Sequence, residues 1–219
     1  MSPDSSLRRP ASLPAVPLFA VAALCLVAFG LDAYMAFSGA AAASNQSTEL
    51  ALHAHAASLF DHGARIISLL FSPAAGLVWA ALLAFGLYLG RFRLDAFTLL
   101  VAIVGDDALG FVLKRIFKEP RPHLFTPLVK AHGYGFPSGH SILSTALFGF
   151  FAVWLVAQAP RDAWRYLVAV LLGIAIGVVC VSRVYAGVHW PTDVIGGATL
   201  SAGWLFACLG AEQMLARRA

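Results

Sequence analysis

Six apolar stretches divide the chain: 13–37, 64–90, 94–116, 141–159, 166–181 and 194–215. A helix needs about 20 apolar residues to cross the hydrocarbon core of a bilayer, where each backbone polar group must be bonded within its own segment. The pattern predicts an all-α fold: a polytopic membrane bundle of about six transmembrane helices. The fifth stretch is short for a span, so its helix is expected to run past those limits. Between the first two stretches, Leu52, Ala56, Leu59 and Phe60 recur at helical spacing. They predict a short helix lying on the membrane surface. The chain reads as one integral membrane domain over 1–219, with a core at 64–215 preceded by an anchor helix and an outer loop (1–63).

Composition agrees with this pattern. Of 219 residues, 60% are hydrophobic and 12% charged, with mean hydropathy +0.79; a soluble domain carries about 25% charge. The net charge of +4 does not indicate nucleic acid, because the basic residues are spread over loops between the spans. Arg8 and Arg9, Arg91 and Arg93, Arg161 and Arg165, and Arg217 and Arg218 all fall on one side of the predicted bundle. By the positive-inside rule that side is cytoplasmic. The count is nearly balanced, eight basic residues against seven, unless several of the seven belong to a site rather than to loops that set topology. Residues 40–43 offer a small-residue cleavage site after the first span. That span is longer than a signal-peptide core of about 7–15 residues, which favours an uncleaved anchor. Cys25, Cys180 and Cys208 lie inside apolar runs and read as packing residues. For His53, His55 and His62 no carboxylate or cysteine completes a ligand set, so they read as solvent-exposed polar residues and no metal site is expected there. Asn45-Gln46-Ser47 fits the glycosylation pattern and carries little weight.

Three polar motifs interrupt the apolar pattern, all on the non-cytoplasmic side. The first is Lys114, six residues, then Arg121 and Pro122. Lys114 alone reads as a cation reaching for the interface. Arg121 sits between Pro120 and Pro122, which stiffen its approach. The second is Pro137-Ser138-Gly139-His140, directly before a span. Ser138 suits an N-cap and Gly139 allows close backbone approach, so the positive helix end faces an anion. A simple turn explains all but His140. The third is Ser182-Arg183, five residues, His189, three residues, Asp193. A helical turn from His189 places it on the same face as Asp193. A carboxylate on one ring nitrogen leaves the other free to attack. Three cations, two imidazoles and one carboxylate form the inventory for moving a phosphoryl group through a histidine, with no metal and no cofactor required.

The three motifs together resemble the signature of the type 2 phosphatidic acid phosphatase superfamily, which includes the vanadium haloperoxidases. The resemblance covers roughly 64–215, and the small six-span form is similar to bacterial lipid phosphatases. It implies that His189 attacks phosphorus, Asp193 orients it, and His140 protonates the leaving oxygen and later activates water. It implies that Lys114, Arg121, Arg183, Ser138 and Gly139 bind the phosphate. The implied partner is a membrane lipid phosphate or diphosphate: undecaprenyl diphosphate, phosphatidylglycerol phosphate, phosphatidic acid or lipid A phosphate. The implied location is a bacterial inner membrane with the site facing outward. That placement favours undecaprenyl diphosphate, whose phosphate must be removed on the outer face. A phosphotransferase could use the same phosphohistidine. A transporter fits less well, because the charges gather at one face rather than along a path. A haloperoxidase is disfavoured, since those relatives are larger and soluble. Outside the signature, Asp106 and Asp107 fall inside the third stretch, where acids are costly. Two readings stand: one acid steadies Lys114 or another buried polar group, or it faces water at a displaced span boundary.

Overall fold

The computed structural model describes residues 14–157 and 162–217. Arg8, Arg9, Arg161 and Arg218 of the charge pattern lie outside the described residues. The described chain is all-helical: α1 Ala15–Phe37, α2 Ala42–His53, α3 Ser58–Leu70, α4 Pro73–Leu89, α5 Arg93–Phe117, α6 Gly139–Ala157, α7 Ala163–Tyr185 and α8 Pro191–Ala216. Helices α1, α5, α6, α7 and α8 are each long and apolar enough to cross a membrane. The chain is a multi-pass membrane protein.

The expected span at 64–90 is not one helix. It is the end of α3 and all of α4, bent by 64°. The cause is local. Ser72 precedes Pro73, and a residue before proline is pushed out of the helical region; Ser72 is extended, at φ −65° and ψ 155°. Its hydroxyl then accepts the Ala75 N–H at 3.3 Å and caps α4. If the bent pair counts as one span, the total reaches six. The expected surface helix around 52–60 is also broken. Leu52 lies in the last turn of α2, Ala56 lies in the break, and Leu59 and Phe60 lie in the first turn of α3. Ala57 is extended there (φ −148°), and its N–H is taken by the Tyr185 hydroxyl at 3.2 Å. The short fifth stretch runs longer than 166–181, as expected, over Ala163–Tyr185.

Lipid is as apolar as leucine, so packing and interhelical hydrogen bonds hold such helices together. Helix α1 lies along α8, where a Cβ on Gly203 would stand 2.8 Å from Leu26 Cδ2. Leu99, Ile103, Leu147, Phe150 and Leu205 fill the centre between α5, α6 and α8. The Ser201 hydroxyl donates to Ile142 O at 3.0 Å, and Trp204 Nε1–H to Val101 O at 3.2 Å. On the outside, Val170, Ile174, Val178 and Val181 of α7 remain exposed, as a lipid-facing stripe requires. This arrangement brings the C-terminal ends of α5 and α7 and the N-terminal ends of α6 and α8 to one end of the bundle.

Candidate active site

All three motifs meet at that end. His189 lies in the turn between α7 and α8, and Asp193 lies in the first turn of α8. His189 Nδ1–H donates to Asp193 Oδ2 at 3.0 Å. The same oxygen accepts the Trp190 N–H at 3.0 Å, so the helix start fixes the carboxylate. Gly135 is packed against it; a Cβ there would fall 2.7 Å from Asp193 Oδ2. With Nδ1 protonated, His189 Nε2 carries the lone pair, and Arg121 Nη1 donates to it at 3.2 Å. Burial and the nearby charges of Arg121, Lys114 and Arg183 hold His189 well below the usual imidazole range. The neutral ring, the form able to attack, therefore prevails at pH 7.

The cations have a second task. Arg121 donates to the carbonyls of Val188 (2.6 Å), Gly133 (3.0 Å), His132 (3.1 Å) and Tyr134 (3.3 Å). Lys114, in the last turn of α5, donates to Tyr134 O (3.0 Å) and Gly135 O (2.9 Å). The irregular segment between α5 and α6 is thus gathered around the first motif. The Gly135 N–H to Glu119 O (2.8 Å) ties its two ends together, and the Leu128 N–H to Ala186 O (3.0 Å) pins its middle to the end of α7. Arg183 is buried; it donates to Ala64 O at 2.9 Å and to the Ser182 hydroxyl at 3.2 Å. His140, in the first turn of α6, donates from Nε2 to Ser68 O at 3.2 Å. Its Nδ1 is left to give or take a second proton.

These groups line one cavity of about 500 Å³, with Lys114, Arg121, Gly139, His140, Arg183 and His189 in its wall. Ser138 and Asp193 stand behind that wall. Ser138 is fully buried, and its N–H donates to Asp193 O at 2.8 Å. This join is close because Gly197 has no side chain: a Cβ there would lie 2.6 Å from Ser138 O. Ser138 therefore couples α6 to α8 instead of presenting its N–H to the cavity.

Other expectations resolve differently. Asp106 is buried, and neither of its oxygens has a hydrogen-bond partner. Asp107 is exposed and lines the cavity. Neither forms an ion pair with Lys114 among the described residues. Asn45, which matched the glycosylation pattern, is buried; it donates to Thr192 Oγ1 (3.0 Å) and accepts the Thr192 N–H (3.3 Å). His53 stacks on Phe125 with centroids 3.6 Å apart. His55 and His62 bond to Ala51 O and Ser58 O, one turn back in the chain. Sequence reasoning missed Asn45, Thr192, Ser68, Ala64 and Gly135. Only Asn45 and Thr192 act through side chains, and nothing in their spacing links them.

The model of the PAP2 superfamily matches residues 95–217, more than half of the chain and all three motifs. A phosphatidylglycerophosphatase B of Bacillus subtilis is 33% identical over 133 residues, covering 60% of this chain and 65% of that protein. An undecaprenyl-diphosphatase of Sulfolobus acidocaldarius is 39% identical over 135 residues, covering 58% of this chain and 57% of that one. The matches thus span less than two thirds of these relatives. The crystal structure of a transmembrane PAP2-type phosphatidylglycerolphosphate phosphatase from Bacillus subtilis superposes with a TM-score of 0.80 at 26% identity, covering 89% of this chain and 96% of that one. Motifs, fold and family model converge, and the chain belongs to the PAP2 superfamily.

Proposed function

We propose that this protein is a membrane lipid phosphatase that works through a phosphohistidine. The observation that carries the reading is His189: Nδ1–H is fixed by Asp193, Nε2 is unprotonated, and Arg121 stands beside that nitrogen. In the first step Nε2 attacks phosphorus and the bond from phosphorus to the lipid oxygen breaks. His140 enters this step doubly protonated, with Nε2–H held by Ser68 O, and gives its Nδ1 proton to the departing oxygen. The imidazole becomes positive as the P–N bond forms, and the Asp193 carboxylate stabilises that charge. In the second step His140 takes a proton from water, the oxygen of that water attacks phosphorus, and the P–N bond breaks to release inorganic phosphate. Lys114, Arg121 and Arg183 neutralise the transferring group throughout. Such positioned donors are worth about 10²–10³ in rate each.

The substrate is a lipid phosphate or diphosphate whose tail lies in the bilayer beside the cavity. The named relatives make phosphatidylglycerol phosphate and undecaprenyl diphosphate the first two to test, followed by phosphatidic acid and lipid A phosphate. The arginine pattern of the loops supports a site on the outer face of a bacterial inner membrane. The test is phosphate release by the purified protein, in detergent and chelator, from each of these lipids. Release is expected from at least one, together with an acid-labile, base-stable phosphoprotein that is lost in His189→Ala. A folded protein that releases phosphate from none of them would end the proposal.

A further inference from the structure

We infer that Lys130 is a specificity-determining residue that binds a second phosphate on the leaving side of the scissile one. This rests on the phosphatase reading of the same cavity. The segment between α5 and α6 is anchored at three places. Phe125 is wedged between the His53 ring, stacked at 3.6 Å, and Gly187, where a Cβ would lie 2.5 Å from Phe125 Cε2. The Leu128 N–H is held by Ala186 O at 3.0 Å. The carbonyls of His132, Gly133 and Tyr134 are held by Arg121. Residues 129–131 bridge the last two anchors, and all three line the cavity. Lys130 is the one charged residue of that bridge.

The anchors also set how near Lys130 stands to the chemistry. One guanidinium, that of Arg121, donates to His189 Nε2 at 3.2 Å and to His132 O at 3.1 Å. Residue 130 is two positions from 132, so its Cα lies within about 7 Å of the Cα of His132. Lysine carries its ammonium on a flexible four-carbon stem, so that ammonium can reach the space beside Arg121. Lys114, Arg121 and Arg183 are buried or half-buried, and each is bonded to backbone carbonyls. Lys130 is exposed at the mouth of the cavity, and its ammonium has no ion pair and no hydrogen bond among the described residues. The three inner cations surround one phosphate. The leaving group carries the tail, so it lies toward the opening, and a second phosphate on it lies outside the inner three. A cation at the mouth with nothing bound to it is placed for that group. The favoured class is a lipid with a second phosphate near the scissile one, which ranks undecaprenyl diphosphate and phosphatidylglycerol phosphate above phosphatidic acid.

The test uses farnesyl phosphate and farnesyl diphosphate, which share a tail and differ by one phosphate. Initial phosphate release in detergent gives kcat/KM on each for the wild type, Lys130→Gln and Lys130→Glu. On the diphosphate kcat/KM should fall about fivefold in Lys130→Gln, the upper range for one exposed charge pair, and further in Lys130→Glu, where attraction becomes repulsion. The fall should shrink at high salt. On the monophosphate kcat/KM should stay within about twofold, which also shows that the variants fold. Equal losses on both lipids, or none on either, would overturn the role of Lys130 and leave the phosphatase intact. A wild type that cleaved the monophosphate alone would overturn it too. For a wild type that cleaved the diphosphate alone, KM on that lipid must rise in Lys130→Gln, and an unchanged KM would refute the role. If folded wild type cleaved neither lipid, the phosphatase reading would fall, and this one with it.

Discussion

Two regions build the site by different means. Helices α5 to α8 and the segments that join them supply every motif residue and act through side chains. Helices α2 to α4 supply no motif residue and act mainly through backbone. Ala64 O receives Arg183 and Ser68 O receives His140, both from α3. A carbonyl is present at every residue, so these contacts constrain where α3 runs and not what its side chains are. Chemistry is thus written in one half, while the other half sets the geometry. Asn45 is the exception in the second region, since its clamp on Thr192 needs an amide side chain.

The largest effect should come from the first region. Asp193→Asn keeps the shape but offers the ring an amide in place of a charge. Asn can present its N–H₂ to Nδ1, which favours the wrong tautomer and leaves the phosphorylated imidazole without a counter-charge. Turnover should fall on the order of a thousandfold, with the helical circular dichroism unchanged. Loss of less than tenfold in phosphate release would show that the pair does not orient the nucleophile.

The Asn45 clamp gives the next largest effect and tests the second region. Asn45→Ala removes both bonds to Thr192, the neighbour of Asp193. The backbone N–H of Thr192 is then buried without its partner, at a cost of about 1–3 kcal/mol. We expect kcat to fall about tenfold, with KM little changed, because α2 touches the dyad's support and none of the cavity wall. An equal loss in kcat from a distant destabilising change in α1, matched for thermal midpoint, would reduce Asn45 to a stability residue.

The same division explains what the sequence made legible. Membrane spans are visible because each needs a long apolar run, and α1, α5, α6, α7 and α8 were all anticipated within a few residues. The motifs are visible because charge at a membrane boundary is rare. The elbow at Ser72-Pro73 was masked by the apolar residues on both sides, although a serine before a proline is a helix-start signal. The split between α2 and α3 depends on Ala57 pairing with Tyr185, 128 residues away. The carbonyls of Ala64 and Ser68 could not be found by any residue-type search. For Asn45 the local pattern pointed elsewhere, and only the fold reveals its partner 147 positions later.

The smallest effect is one of pH and concerns Glu49, one turn beyond Asn45 on α2. Its carboxyl is fully buried, and neither oxygen has a hydrogen-bond partner. Burial first, and then the charge of Asp193, push it up to about 7 from 4.5. An acid whose pKa is higher in the folded state favours folding while protonated. The unfolded chain loses that proton near 4.5 and the folded chain near 7, so this stabilisation is complete below 4.5 and is lost as pH rises through about 7. Glu49→Gln keeps the neutral shape at every pH. The thermal midpoint of the wild type should therefore fall relative to that of Glu49→Gln between pH 5 and 8, with the two closest at the acid end. His189 acts in the opposite sense on activity: its lowered pKa keeps the attacking ring neutral well below pH 6.5, so the acid limb of kcat/KM should lie below that value. If the thermal midpoints of the two proteins run parallel across this range, Glu49 does not titrate there, and α2 contributes to the dyad through Asn45 alone.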